Sequence, residues 1–429
     1  MRPSRLLLSL LLASVLFALV AVAAPFIPVA WVLVPFALVV ALFIVDWLIS
    51  PGLRGVEVKL SAEREVFVGE DVAFAFELSK PPKLKELSGV ISQSDGLTSP
   101  AEFHFDAGRA TIGLFARRRG IWTIERLWLR WSSKLKMIDF IALRKLDCTI
   151  HVVPNIRMIT SGQIDLEMRS ATFGAKQTQW RGEGSEFHQL NDFVQGMDPR
   201  SIDWKRSARQ NSLVAKEMRA ERNHQIIMAL DNGHLMREEI AGLPKIDHKI
   251  NAALALAWAG IQGGDQVGYF AFDARPRHYS PPRSGRAAFS HMRSEMAQLE
   301  YKSVETNHTL GLSNLHSRLS KRSLIVVFSD FVDPLTAQLL VDHVAVLNKH
   351  HVIIFVSLRD PLLDKIISEQ PKTMDEIARS VTAANLLAER RTVLDKMAAM
   401  GVYVIETNPG NMTSSLINTY LAIKAKEEI

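Results

Sequence analysis

The sequence predicts a chain in three parts: a transmembrane helical hairpin, a small β-sandwich-like domain, and a C-terminal open α/β sheet. Three observations carry this expectation. Two stretches without a charged residue, Leu6 to Ala24 and Phe26 to Val45, open the chain; short runs alternating apolar and polar residues follow to about residue 155; and from about residue 225 short, wholly apolar runs alternate with stretches of helical periodicity. The expected parts are residues 1–50, 51–158, a connecting signature segment 159–224, and 225–429.

Composition bounds the reading. With 48% hydrophobic and 22% charged residues and a mean hydropathy of +0.07, the 429-residue chain is neither disordered nor fibrous nor a polytopic transporter. A single cysteine, Cys148, excludes a disulfide scaffold and a cysteine-rich zinc site. The 51 basic and 45 acidic residues are spread along most of the chain, so nucleic acid is not an expected partner; the net charge of +6 suits an anionic membrane surface or an acidic protein.

Each opening stretch is about 20 residues, which as a helix covers a hydrocarbon core of roughly 30 Å. The expected spans are about 6–24 and 26–47, with Pro25 and Pro28 marking the turn and Asp46 and Trp47 at the membrane–water boundary. Arg2, Arg5, Arg54 and Lys59 flank the pair while the turn carries no basic residue. The expected location is therefore the inner (plasma) membrane, multi-pass, with the bulk of the chain cytoplasmic. A cleaved signal peptide ending near Ala21-Val22-Ala23 is the alternative, and it leaves the second stretch as an anchor.

In the second part, Val58 and Leu60, then Val72, Phe74, Phe76 and Leu78, repeat at the period of half-buried strands, as do Ile112 and Leu114, then Trp122, Ile124, Leu127 and Leu129. Turn signals such as Gly69, Pro81-Pro82, Asp95-Gly96 and Arg119-Gly120 separate about seven short strands. Arg117–Arg119 reads as a solvated loop, or as a patch facing lipid or a partner. Cys148, in a strand-like context, reads as a small packed side chain.

The third part alternates strands and helices. Ile226–Leu230, Val267–Phe272, Leu324–Phe328, Val352–Val356 and Val402–Ile405 read as buried strands. Ile246, Ile250, Ala253, Leu254, Ala257, Trp258 and Ile261 mark a helix closed by Gly263-Gly264. A second helix lies near Pro334–Asn348, and Thr373 with Glu376 forms a capping box before a third that Gly401 ends. Asp231 and Asp330 fall just after two of the strands, where ligands of open α/β sheets bind; Asp273, Asp333 and Asp360 lie near other strand ends. Hard oxygen ligands gathered there suit Mg2+; the alternative is that the aspartates cap the following loops through backbone N–H groups. His350-His351 opens a strand, and adjacent strand residues point apart, so the pair is not expected to chelate one metal.

The order of these elements resembles a von Willebrand factor A-type domain. That resemblance implies a metal-ion-dependent adhesion site with an Asp-x-Ser-x-Ser loop, a threonine and a later aspartate. Here the loop reads Asp231-Asn232-Gly233-His234-Leu235, without either serine, while Asp231, Thr306 and Asp330 match the remaining positions as a degenerate metal site.

Just before the α/β part stand Gly182-Glu183-Gly184-Ser185-Glu186-Phe187, Gly196-Met197-Asp198-Pro199-Arg200, Ile202-Asp203-Trp204 and Ser207-Ala208-Arg209. Over some forty residues this resembles the signature of the bacterial domain-of-unknown-function 58 family, apart from Met197 splitting Gly196 from Asp198. The resemblance implies membrane spans, a von Willebrand A-like domain, and association with MoxR-type AAA+ ATPases in the assembly or metal loading of other proteins. Asp198-Pro199 suits a helix start, and helical spacing then turns Trp204 and Ala208 toward the sheet with Arg200, Lys205, Arg206 and Arg209 around the rim. Two readings stay open: an internal strap in which Arg200 or Arg209 pairs with Asp192 or Asp203, or a partner-binding surface built on Arg200, Asp203, Trp204, Lys205 and Arg209.

Phosphate-loop, dinucleotide-fingerprint, His-Glu-x-x-His and Gly-x-Ser-x-Gly motifs do not occur. The expectation is a non-enzymatic, membrane-anchored scaffold without a cofactor, whose α/β domain docks a MoxR-type AAA+ ATPase while the bilayer holds its hairpin. Its rival is a divalent-metal-dependent enzyme or adhesion module on the Asp231/Asp330 edge.

Overall fold

The computed structural model describes residues 2–23, 29–50, 57–79, 86–92, 94–164, 166, 186–194, 197–219 and 224–429. The expected turn at Pro25–Pro28, Arg54, Pro81-Pro82, Gly182–Ser185 and Gly196 lie outside the described residues. Contacts divide the chain into two compact units, Met1–Val153 and Pro154–Ile429.

The first unit begins with β1 (Arg2–Pro3), α1 (Arg5–Ala23) and α2 (Val29–Ile49). Among the described residues no helix is long and apolar enough to cross a membrane. That finding overturns the expected transmembrane hairpin, and the multi-pass inner-membrane location with it. The physical reason lies at the helix ends. Asp46, expected at a water boundary, is 0% exposed. Its carboxylate accepts from the Ser133 hydroxyl and from the backbone N–H groups of Leu135 (2.9 Å) and Met137 (3.3 Å). Leu7 and Val39 pack with Met137 and Ile138, and Pro35 interrupts the hydrogen-bond ladder of α2. Apolarity that reads as lipid-facing is thus partly committed to protein.

Two sheets follow. One joins β1, β3 (Glu65–Phe67), β5 (Leu87–Ile91), β7 (Phe103–Phe105), β9 (Gly120–Ser132) and β10 (Ile138–Val153); the other joins β2 (Val58–Ser61), β4 (Asp71–Leu78), β6 (Leu97–Thr98) and β8 (Arg109–Ala116). Strict alternation on β4 buries Val72, Phe74, Phe76 and Leu78. Phe76 stacks on Phe103 of the opposite sheet at 5.2 Å between ring centroids. β9 and β10 run 13 and 16 residues, longer than the short strands expected, and β10 shifts register between Lys145 and Cys148. Burial pushes the Cys148 thiol up, away from nucleophilic reactivity. Arg119 is only 3% exposed, whereas Arg118 is half-buried and Arg117 is exposed, so the arginine triplet does not face solvent as a unit.

The second unit starts with α3 (Arg157–Thr160) and an antiparallel hairpin of β11 (Glu186–Asp192) and β12 (Val214–Arg219) that carries α4 (Trp204–Gln210). Next come β13 (Gln225–Asp231), the small ribbon β14 (Glu239–Ile240) and β15 (Leu243–Pro244), α5 (Lys245–Gln262), β16 (Gln266–Phe272), β17 (Pro276–Arg283), α6 (Arg286–Ala297) and α7 (His308–Arg318). The chain ends with β18 (Leu324–Phe328), α8 (Pro334–Asn348), β19 (Val352–Leu358), α9 (Pro361–Ser368), α10 (Met374–Ala399), β20 (Tyr403–Thr407) and α11 (Pro409–Ala425). The sheet order is β17-β16-β13-β18-β19-β20, parallel except for β17 at one edge. Connections leave β13 toward one edge and β18 toward the other, so the switch point lies between these two strands. Both sheet faces are covered. Ile227, Ala229, Phe270 and Phe355 pack with residues of α7, α8 and α10, while α5 and α11 contact the sheet and each other. Such double coverage explains why these strands read as unbroken apolar runs.

The histidine pair departs from its expected geometry. His350 and His351 lie in the turn before β19, and the ring of His316 lies 5.5 Å from His350 and 5.7 Å from His351. Alternation along a strand therefore does not separate them.

Candidate functional site

The carboxyl ends of β13 and β18 bring together a buried polar cluster. Asp231, the last residue of β13, is 1% exposed, and Asp330, two residues beyond β18, is 2% exposed. The Oδ1 of Asp231 accepts from Thr306 Oγ1 (2.6 Å) and from the Gly233 N–H (2.9 Å), and its Oδ2 accepts from Ser329 Oγ (2.6 Å). Because the single Ser329 proton goes to Asp231, His308 Nε2, 2.8 Å from Ser329 Oγ, is the donor there. Burial works against the Asp231 carboxylate, but the hydrogen bonds from His308, Ser329 and Thr306 outweigh it and hold the group below the ordinary carboxylate range.

Serine, histidine and aspartate meet here without forming a nucleophilic relay. A relay needs the imidazole between the other two, one ring nitrogen to each. In this cluster the serine bonds the aspartate directly, and the same His308 nitrogen faces both, 3.5 Å from Asp231 Oδ2. The groups brace one another.

Asp330 is clamped by cations. Arg390 Nη1 lies 2.7 Å from its Oδ1 and Lys245 Nζ 2.8 Å from its Oδ2. Lys245 also pairs with Glu238 at 2.5 Å, and Arg390 Nε with Glu406 at 2.9 Å. Burial of Asp330 is overcome by Arg390, Lys245 and Lys249, which together hold its carboxyl far below the usual range. Lys249, 0% exposed, donates to the Ser329 carbonyl at 2.8 Å and faces Met236 Sδ at 3.2 Å. Burial lowers its ammonium to about 8 even with Asp330 and Asp231 nearby. A cavity of about 560 Å3 adjoins the network, with Val341, Leu387 and Val393 on its wall and Asp330 and Arg390 at its polar end.

The residues proposed from sequence as a degenerate metal site, Asp231, Thr306 and Asp330, do not fit a divalent ion. Thr306 is already spent on Asp231, and both oxygens of Asp330 face cations. At Gly233, where the resemblance calls for a serine, an added Cβ would lie 1.9 Å from Thr306 Oγ1. The threonine hydroxyl therefore fills the space a ligating side chain would need. Among the described residues no group of three or more His, Cys, Asp or Glu is placed to hold a metal. The neighbouring aspartates serve locally: Asp333 and Asp360 cap α8 and α9, and Asp273 pairs with Arg277 at 2.6 Å.

Lys245, Lys249, Arg390, His308 and Ser329 escaped the sequence reading. One signal existed: Lys245 and Lys249 lie four residues apart at the start of a helix whose later turns are largely apolar, so both ammonium groups fall on one side of a helix that the fold covers and need polar partners inside the protein.

The signature segment behaves differently from either simple reading. Asp198 caps only a short 3-10 turn, Pro199–Ser201, by accepting from the Arg200 N–H; α4 starts afresh at the Asp203 cap, which accepts from the Arg206 N–H. That restart rotates the helix. Ser207 is the buried residue of α4, whereas Trp204, expected to face the sheet, is 69% exposed. Asp203 pairs with Lys216 at 3.3 Å, not with Arg200 or Arg209. Arg200, Lys205 and Arg209 are exposed as well. Ser207 Oγ accepts from the Val214 N–H at 2.9 Å and so ties the helix to β12.

The family model described as Protein of unknown function DUF58 matches residues 189–369, which include α4 and the strands β13 to β19. No curated protein matches the chain. Among solved structures, one described as an uncharacterized membrane spanning protein from Vibrio fischeri is similar at 15% identity, over 47% of this chain and 97% of that one, with a TM-score of 0.16.

Proposed function

We propose that the chain is a non-enzymatic docking protein that engages a partner through α4 and its surroundings, with Trp204 as the apolar anchor and Arg200, Lys205 and Arg209 as a basic rim. The observation that carries this reading is the 69% exposure of Trp204, a side chain that normally seeks cover and that dominates protein–protein hot spots when it lies outside. Its helix is too firmly tied to fold the indole inward: Asp203 caps it, Lys216 grips the cap, and Ser207 anchors its underside to β12. The complementary partner is an acidic protein surface with an apolar cleft. The family resemblance implies a MoxR-type AAA+ ATPase as that partner, in the assembly or maturation of other proteins. Asp231 and Asp330 are too deeply buried to present a contact surface, and their role in this reading is to brace the sheet edge.

The test is co-purification of the full chain with a MoxR-type ATPase from the same genome, in the presence of ATP or ADP. Trp204→Ala and Arg209→Glu should each weaken capture by about tenfold or more, while leaving stability within about 0.5 kcal/mol because both sites are exposed. Unchanged capture by both variants refutes the surface, and a wild-type chain that captures no ATPase in either nucleotide state refutes the partner.

A further inference from the structure

We propose that the cavity beyond the carboxyl ends of β18 and β19 binds a small organic cation, an ammonium or guanidinium group carried on an apolar body. Its volume of about 560 Å3 suits a small molecule, and residues of α8, α9 and α10 wall it. Open α/β sheets take their ligands at this end of the strands. The wall dictates the apolar body. Ala337, Val341 and Leu358 are buried along it, while Leu387 and Val393 are only partly covered. Val332 and Leu386 on the same wall remain 57% and 38% exposed, so apolar surface is left open there.

The cationic group follows from a chain of alternating charge. Glu238, Lys245, Asp330, Arg390 and Glu406 stand in that order, joined at 2.5, 2.8, 2.7 and 2.9 Å, and all five line the cavity. A carboxylate ends the chain on either side. The three inner side chains are largely covered, at 8%, 3% and 16% exposure, whereas those of Glu238 and Glu406 are 53% and 31% exposed. A ligand therefore meets the outer glutamates before the cations they hold. Lys245 takes one oxygen of Glu238 and Arg390 one oxygen of Glu406, which leaves the second oxygen of each for an incoming donor.

An anion is opposed at the same place. The two other basic side chains of the lining are engaged, Arg359 with Asp364 at 2.7 Å and Lys396 with Gln338 at 2.8 Å. The N-termini of α8 and α9 could otherwise draw a negative group, but Asp333 and Asp360 already place carboxylates there as caps. Around the cavity six carboxylates face four basic groups, and the surplus favours a positive ligand.

The experiment is calorimetry on the full chain at neutral pH with phenylbutyl-, phenylhexyl- and phenyloctylamine, each beside the alcohol and the carboxylic acid of the same skeleton. At least one amine should bind about tenfold or more tightly than its alcohol, the worth of one hydrogen bond between charged groups, and the acids should bind more weakly than the alcohols. Glu238→Gln and Glu406→Gln are made singly; neither side chain is buried, so both variants should fold. At least one of them should cut the affinity for the amine about fivefold or more and leave that for the alcohol unchanged. Leu387→Trp, which fills the apolar wall, should abolish uptake of both while the melting transition is kept. No binding by any amine, an alcohol or acid that binds as well as its amine, an amine affinity indifferent to both glutamates, or uptake that survives Leu387→Trp would each overturn the assignment.

Discussion

Replacing Arg390 with methionine should unlock the sheet edge at one defined point. The guanidinium spans Asp330 at 2.7 Å and Glu406 at 2.9 Å, bonds the Ser357 hydroxyl, and reaches the carbonyls of Phe331 (3.3 Å) and Leu358 (3.4 Å). Its side chain is 16% exposed and that of Asp330 is 3% exposed, so solvent screens the pair little. Methionine keeps an aliphatic stem of similar length and removes the charge, the donors and the guanidinium that lies 5.1 Å over the Phe331 ring. Breaking a buried pair costs about 3–5 kcal/mol; with Lys245 and Lys249 still facing Asp330, the lower end, about 3 kcal/mol, is expected. Arg390→Lys should recover roughly half of the loss, since the ammonium restores charge but not the planar fork. Native-state hydrogen exchange of the β18 and β19 amides in the full chain isolates this unit from the first. The pH dependence carries a second signature. Asp330 is held far below its unfolded value of about 3.9, so its contribution is fully present above that value and is lost as pH falls toward the depressed one. The difference between wild type and Arg390→Met should therefore be largest near neutrality and shrink below about pH 4. A loss under about 1 kcal/mol at neutral pH, or a difference indifferent to acid, would refute the clamp.

Two further outcomes follow from close contacts elsewhere in the same unit. Gly233→Ser should destabilise it by about 1–3 kcal/mol through overpacking, because the new Cβ meets Thr306 Oγ1 at 1.9 Å; Thr306→Ala should relieve most of that cost, a sub-additivity that denaturation of the double variant measures. His351 is 5% exposed and burial lowers it to about 4, against about 6.5 when unfolded, so its neutral ring supports folding above pH 6.5 and that support drains away as pH falls through 4. His351→Phe should flatten the acid limb of the stability curve by about 2–3 kcal/mol, and an unchanged limb counts against the assignment.

Periodicity carried the local structure. Val72 to Leu78 alternate in burial as their pattern requires, Ile226–Leu230 lies within β13, and the Thr373–Glu376 capping box forms at the start of α10. Pairings across long chain distances were illegible. Asp330 meets Lys245 from 85 residues away and Arg390 from 60, and no local pattern links them. Helical spacing counted from Asp198 turns Trp204 inward, whereas the helix is capped at Asp203, lasts seven residues and leaves Trp204 outside. At the N-terminus, hydropathy registers apolar length but not the buried hydrogen bonds of Asp46, which reveal a protein surround at the end of α2.

The border strand β17 decides how this molecule can meet others. Pro281 and Pro282, between its pairings of Ser280 with Tyr269 and of Arg283 with Val267, lack the N–H groups that an incoming extended chain would grip. Gly268, whose bare backbone lies against Ser280 and the two prolines, lets that kinked border press close. Growth of the sheet by stacking copies edge to edge is thereby discouraged on that flank, which protects a crowded solution of this protein from fibre-like assembly.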